Sequence, residues 1–237
     1  MGILSQTATR NRILRALSPS DFAGLIPYLE EIELPRLYQM SAPGMITDYC
    51  YFLESGLGSI VAEVTGGRKA EIGIFGYEGM SPTSMIMDAP TTPYSTFMQT
   101  SGRGYRIRSI RLSHAVEGNY RLRSLLLRFA QVMSVQASYT ALSNATDKIE
   151  QRLARWLLMC HDRTDGEKIM LTHEFLSVML AVRRQSITTA LHVLEGLHLI
   201  EAKRNEITIH NRPGLEGFAG GAYGPAEDEY RKLIGPF

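Results

Sequence analysis

Cysteine is almost absent from this chain: Cys50 and Cys160 are the only two in 237 residues, and they lie in different segments. That excludes a disulfide framework and a cysteine-built metal or iron–sulfur cluster, and it suits a reducing compartment. An excess of either charge is also missing. Twenty-five Lys and Arg face 24 Asp and Glu, for a formal net charge of +1. No global field draws a partner, so any basic surface must be local. No apolar run approaches the roughly 20 residues that span a bilayer. The opening MGILSQTATRNRIL has no apolar h-region and no small-residue cleavage site. The expectation is a cytoplasmic protein without a membrane partner. The six histidines, at 114, 161, 173, 192, 198 and 210, form no H-x-x-x-H pair. There is no spaced nucleophile and base, and no phosphate-cradling glycine loop before a helix. No catalytic residue, metal or cofactor is expected, and the chain does not read as an enzyme.

What is present is 44% apolar and 21% charged, the composition of a folded chain long enough for one large or two smaller cores. Residues 1 to about 28 read as helical, with Ile13, Leu14 and Leu17 at helical spacing. A second start follows at SPSDF, with Ser18 as N-cap and Pro19 as first helical residue. From 29 to about 108 turn signals recur at APG, SGLG, TGGR, FGYEG, APTTP and SGRG. Between them lie the β-rich runs CYFLE, SIVAEV, AEIGIF, STFMQT and YRIRSI, which predict a compact all-β roll.

After about 110 the turns vanish. Leu122, Leu125, Phe129, Val132, Gln136, Tyr139 and Ser143 alternate steps of three and four along one predicted helix. This a/d pattern suits a paired helix, and it equally suits an amphipathic helix lying on its own core. Its polar end, at Gln136, Tyr139 and Ser143, favours a dimer seam that also reaches a ligand. SNATDK then restarts a helix, with Asp147 as candidate N-cap. Ile149, Leu153, Trp156, Leu157 and Cys160 form the new apolar face. Cys160 is therefore a structural thiol or a redox sensor, and its apolar setting favours the first.

The last third carries the function. LTHEFLSVML starts at Thr172, an N-cap, and breaks near Ala181 and Val182. AVRRQSITTALHVLEGLHLI then has an apolar stripe at Ile187, Ala190, Leu191 and Leu194. Its open face holds Arg183, Arg184, Gln185, Ser186, Thr188, Thr189 and His192. Two alternating runs around Lys203, Arg204 and Asn205 predict a β-hairpin. Helix, tight turn, helix and hairpin is the winged helix-turn-helix order. Short polar side chains let a helix approach base edges in the major groove. Arginine can fork onto guanine, glutamine can pair with adenine, and backbone N–H groups serve phosphates.

With this order in place, residues 18 to 216 resemble the Crp/Fnr family of bacterial transcription regulators. The resemblance rests on PG at 43–44, YFLESG at 51–56, EIGIFGYEGM at 71–80 and LEGLHLIEAKRNEITI at 194–209. It implies an α+β chain: an N-terminal double-stranded β-helix (β-roll) domain like those that bind cyclic nucleotides, a long dimerisation helix, and a C-terminal winged helix-turn-helix. The corresponding boundaries are 1–118, 119–146 and 147–216, with a tail at 217–237. The implied partners are double-stranded DNA with a palindromic operator, a second copy of the chain through Leu122, Leu125, Phe129, Val132, Gln136 and Tyr139, and RNA polymerase. Arg184 falls at the family's main guanine-reading position, and Gln185 stands where glutamate is common. Lys203 and Arg204 are wing phosphate contacts.

The family's cyclic-nucleotide site departs most. Tyr94 stands about where its phosphate-binding arginine belongs, and residues 70–102 hold no Lys or Arg while carrying Glu71, Glu78 and Asp88. A buried phosphate without a cation is unfavourable. Cyclic AMP is not expected by the usual route, and the effector is left unknown. Tyr77, Glu78, Gly79, Tyr94, Ser95, Thr96, Gln136 and Tyr139 are the candidates for a neutral or cationic ligand. The alternative function is a small-molecule sensor or protein-interaction module whose helix-turn-helix does not read DNA.

Overall fold

The computed structural model describes residues 4–237, so the first three residues of the predicted N-terminal helical segment lie outside the described residues. Helix α1 (Arg12–Ala16) is capped by Asn11, whose side chain accepts from the Leu14 amide, and α2 (Pro19–Leu25) by Ser18, which accepts from the Asp21 amide. Eight strands follow: β1 (Glu30–Leu34), β2 (Gln39–Ser41), β3 (Tyr49–Leu53), β4 (Leu57–Val64), β5 (Arg68–Phe75), β6 (Met80–Ser81), β7 (Ser95–Thr100) and β8 (Gly102–Arg108). They build two four-stranded antiparallel sheets, ordered β1-β8-β3-β6 and β2-β7-β4-β5. Gly102 and Gly104 permit the tight return of β8, because a Cβ there would lie 2.1 and 2.3 Å from the carbonyl oxygens of Ser55 and Phe52.

Helix α3 (Ser109–Glu117) leads into α4 (Tyr120–Thr146), 27 residues capped by Asn119, which accepts from the Leu122 amide at 3.0 Å. Helix α5 (Ile149–His161) follows after two residues. Its N-cap is Lys148, not the expected Asp147, whose amide instead donates to Ser143 and closes α4. The hinge is too short for Asp147 to serve both helices.

The C-terminal third contains β9 (Lys168–Ile169), α6 (His173–Met179), α7 (Arg184–Gly196), and the hairpin β10 (Ile200–Lys203) and β11 (Glu206–Ile209). Helices α8 (Arg212–Ala219) and α9 (Pro225–Leu233) complete it. The three short strands form one sheet, β10-β11-β9.

One core joins the roll to α1–α4 and includes Tyr230 of α9. A second joins α5–α8 to Leu57, Val61 and Ile74 of the roll. The sheet β2-β7-β4-β5 is thus covered on both faces. Phe75 and Met98 face the first core and Ile74 and Val61 the second.

The stripe expected to form a dimer seam is spent inside the chain. Leu122, Leu125, Phe129 and Val132 are all no more than 9% exposed and belong to the first core. Gln136 is tied to β5: it accepts from the Ile74 amide at 2.7 Å and donates to the Ile74 carbonyl at 3.1 Å, while Tyr139 is half-buried. Apolar periodicity marks burial without saying against what, and here the roll supplies the partner surface. In the tail, AEDEYRKLI, whose sequence suits a short helix after the Gly-rich link, forms most of α9, and α9 packs along α4.

Candidate nucleic-acid interface

Thr172 caps α6 by accepting from the Phe175 amide at 3.1 Å. The chain then turns through Leu180 and Ala181, and Ala181 adopts φ +52°, the left-handed conformation that glycine takes without strain. This turn sends α7 across α6 with Ile187, Ala190, Leu191 and Leu194 completely buried. The same rotation leaves Arg183, Arg184, Gln185, Thr189 and His192 exposed, with Ser186 and Thr188 partly covered. Thr188 and Thr189 donate to the carbonyls of Arg184 and Gln185 one turn back, at 3.3 and 3.2 Å, which draws their hydroxyls close to the helix axis.

Among the described residues Arg183, Arg184 and Arg204 take part in no ion pair, so their charges are available to a polyanion. Lys203 differs: its Nζ lies 3.0 Å from Glu201 on the same strand. The hairpin pairs Lys203 with Glu206 and turns at Arg204 and Asn205, with Asn205 at φ +64°. Arg204 therefore stands at the tip of the wing.

The candidate effector residues do not line a common open site. Glu78 is 2% exposed and meets Arg163, from the loop after α5, at 2.7 Å; its other oxygen accepts from the Gly76 amide at 2.9 Å. Tyr77 donates to the Asp162 carbonyl at 3.1 Å, and Gly79 is packed so tightly that a Cβ would lie 2.2 Å from the Phe129 ring. Gln136 is occupied by Ile74, Thr96 is buried, and Tyr94 is exposed on the loop before β7, with Ser95 half-buried. The acidic stretch does have a cation, but the other domain supplies it. Burial would lower the Arg163 pKa, yet Glu78, Glu227 and Asp162 overcome it and hold the guanidinium charged.

A polar chain beneath α5 was not foreseen. Trp156 donates its indole N–H to Glu71, whose other oxygen lies 2.5 Å from the Ser59 hydroxyl, and that hydroxyl lies 2.8 Å from Gln99 Oε1. Ser59 has one proton and two neighbouring acceptors. A protonated Glu71 removes the conflict, and so does exchange of the Gln99 amide oxygen and nitrogen, which leaves Ser59 donating to Glu71. Burial indeed pushes the Glu71 carboxyl up to about 7, against the hydrogen bonds from Ser59 and Trp156 and the fields of Arg155 and Arg163. Gln99 Nε2 reaches Cys160 Sγ at 3.8 Å, and that thiol is fully buried with its pKa raised by desolvation. Cys160 is packed in the second core, the setting that its apolar neighbours suggested.

The tail adds a further tie. Tyr230 is fully buried and donates to the Glu78 carbonyl at 2.8 Å, and its ring meets Phe237 edge-on at 5.1 Å. Sequence reading passed over Arg163 and Tyr230. The one signal available was the absence of any cation between residues 70 and 102, which requires buried Glu78 to find its partner elsewhere.

Among the described residues no helix is long and apolar enough to cross a membrane, and no group of three His, Cys, Asp or Glu side chains is placed to hold a metal ion.

Comparison with known proteins gives the fold a context. Residues 151–218 match the family model of the Crp-like helix-turn-helix domain. No curated protein matches the chain. Among solved structures, a putative transcriptional regulator of the Crp/Fnr family from Eubacterium rectale is similar at 15% identity and a TM-score of 0.69, covering 87% of this chain and 97% of its own. FixK2 from Bradyrhizobium japonicum is similar at 15% identity and a TM-score of 0.68, covering 81% and 98%. TTHB099, a transcriptional regulator of the CRP family from Thermus thermophilus, is similar at 19% identity and a TM-score of 0.66, covering 81% and 98%. The chain thus has the β-roll and C-terminal helix-turn-helix fold of the Crp/Fnr transcription regulators, with a Crp-like helix-turn-helix domain at residues 151–218.

Proposed function

We propose that this protein is a sequence-specific DNA-binding regulator in which α7 enters the major groove and the Lys203–Arg204 wing meets the phosphate backbone. The observation that carries the reading is the division of α7. Its apolar side is wholly buried, while Arg183, Arg184, Gln185, Thr189 and His192 are exposed and neither arginine has an acidic partner. A surface helix serving only solubility has no reason to concentrate short polar side chains and unpaired arginines on one face. Arg184 forks onto guanine, Gln185 pairs with adenine, and the partly covered Ser186 and Thr188 serve phosphates. The role is regulatory, without catalysis.

The regulator acts as a homodimer on a palindromic operator, with RNA polymerase as a further partner. Since the inner stripe of α4 is buried in the chain, the seam lies on the opposite stripe. Gln131, Ser134, Ser138, Ala141 and Ala145 are exposed there at steps of three and four, with Leu142 beside them 50% exposed. The usual cyclic-nucleotide site is replaced by contacts between the roll and the DNA-binding domain. Glu78 is committed to Arg163 and Gln136 to Ile74, so DNA binding needs no cyclic nucleotide.

Selection of purified protein on random duplex DNA at physiological salt, without added ligand, tests this reading. Recovery of a two-fold palindrome with half-sites about 10 to 10.5 base pairs apart is expected. Failure to retain duplex at any salt would reject it and favour a module that docks protein.

A further inference from the structure

The chain leaves the helix-turn-helix module and then returns to the roll. Helix α8 is seated in the second core through Leu215 and Ala219, and the segment GGAYG at 220–224 carries the backbone across to α9. There Tyr230 is fully buried in the first core, with Leu233, Ile234 and Phe237 packed against that core. Polar contacts fix the crossing on both sides. The Ala222 carbonyl accepts from Arg155 Nε of α5 at 2.8 Å, and Tyr223 donates to Asp162 at 2.9 Å. Beyond them Tyr230 donates to the Glu78 carbonyl of the roll at 2.8 Å, and the Leu233 carbonyl accepts from Arg128 of α4 at 3.3 Å.

Glu227 ties α9 electrostatically to the other module. It is buried, and one of its oxygens accepts from the Gly224 amide at 3.1 Å. Arg155 and Arg163, from α5 and the loop after it, are buried as well. Burial lowers the Arg155 pKa, and Glu227 is the foremost charge opposing that fall, ahead of Glu71. Among the charges that keep Arg163 protonated, Glu227 follows Glu78. A buried guanidinium needs a compensating acid, so the seat of α5 on the roll draws on a carboxylate that α9 supplies. The seat of α9 itself is shallow. Its buried side chains are Ala226, Glu227 and Tyr230, one small, one charged and one with a hydroxyl to satisfy, whereas α7 buries four apolar side chains completely. A helix held by so little apolar surface opens at lower cost than the cores it joins. We propose that α9 is a releasable strap. Docked, it clamps the helix-turn-helix module onto the roll; undocked, it frees that module to move about the hinge at 147–148 while both domains stay folded.

The experiment measures the distance between two spin labels on the full chain, at Lys69→Cys on the roll and Leu197→Cys after α7. Both positions are exposed, and the native Cys50 and Cys160 are buried away from the label. One narrow distance is expected with the strap intact. A broad distribution is expected in the double variant Glu227→Gln with Tyr230→Phe, which keeps both shapes and removes the charge and the hydroxyl. An unchanged narrow distance in that variant would overturn the strap. So would a variant that no longer folds, since α9 would then be a core element. Native-state hydrogen exchange of the unaltered protein is a second readout that needs no variant. The α9 amides should exchange through an opening that leaves the roll strands and α5 protected, and exchange only together with them rejects the strap. The consequence for DNA rests on the reading of α7 given above. If release leaves one molecule in ten in the binding pose, operator affinity falls about tenfold. The distance needs no DNA, so a broadened distance with no duplex bound by either protein would reject the reading of α7 and leave the strap standing.

Discussion

Arg163 lies 2.7 Å from Glu78 with both side chains buried, and the pair joins the loop after α5 to the turn between β5 and β6. A residue of the helix-turn-helix half thereby closes on a buried glutamate of the roll. Tyr230 donates to the backbone carbonyl of the same glutamate.

Removing one partner of such a pair strands the other charge in the interior. Arg163→Ala should destabilise the fold by about 3–5 kcal/mol. The double variant Arg163→Met with Glu78→Leu should recover most of that loss, because two apolar side chains need no compensation. Urea denaturation of the three proteins checks the ordering.

Glu71 makes stability depend on pH in the direction opposite to a surface carboxylate. Its folded pKa is about 7, against 4.5 for the free side chain. Between those values the folded state holds a proton that the unfolded state releases. Stability therefore falls as pH rises from 4.5 towards 7 and levels off above it. The shift corresponds to about 3 kcal/mol as an order of magnitude. Glu71→Gln should remove this slope and be the more stable protein at pH 8, with little difference at pH 4.5. Denaturation midpoints of both proteins across that range test it.

Ala181 holds a left-handed φ of +52° in the turn of the helix-turn-helix. An L side chain pays about 1–2 kcal/mol in that region, and glycine does not. Part of the gain is offset by the greater freedom of glycine in the unfolded chain, about 0.4–1 kcal/mol. Ala181→Gly should raise stability by up to about 1 kcal/mol without altering DNA affinity. A lowered urea midpoint would mean that the turn is unstrained.

The two kinds of DNA contact proposed for α7 and the wing separate by their dependence on sequence and salt. Arg184→Ala should cost about 1–3 kcal/mol of binding and relax preference at one base pair. Arg204→Ala should weaken binding to all sequences alike and reduce the slope of log affinity against log salt by about one. Lys203, already paired with Glu201 at 3.0 Å, should change the slope less than Arg204. Titrations at several salt concentrations on matched and mismatched duplexes distinguish the three.

Much of this molecule follows from local pattern. Ser18 and Thr172 as caps, the break at Ala181 and Val182, the end of α7 at Gly196 and the hairpin turning at Arg204 and Asn205 all depend on residues within one turn of each other. Their chemistry could be read directly from the order of side chains. The exposed face of α7 is legible for the same reason, since the spacing of Ile187, Ala190, Leu191 and Leu194 determines which residues point away from the core.

Partnership is a different kind of fact. The stripe Leu122, Leu125, Phe129 and Val132 was apolar whether it met a second helix or the roll, and only the packing of α4 chose the roll. Glu78 lacked a cation in its own segment, and Arg163 reached it from 85 residues away. Tyr230 is separated from Glu78 by 152 residues, and the glycines before α9 gave no sign that its helix would pack against α4. Short-range order is written in helical and strand periodicities. Which buried charge meets which, and which apolar face covers which, depends on long-range geometry that no local spacing encodes.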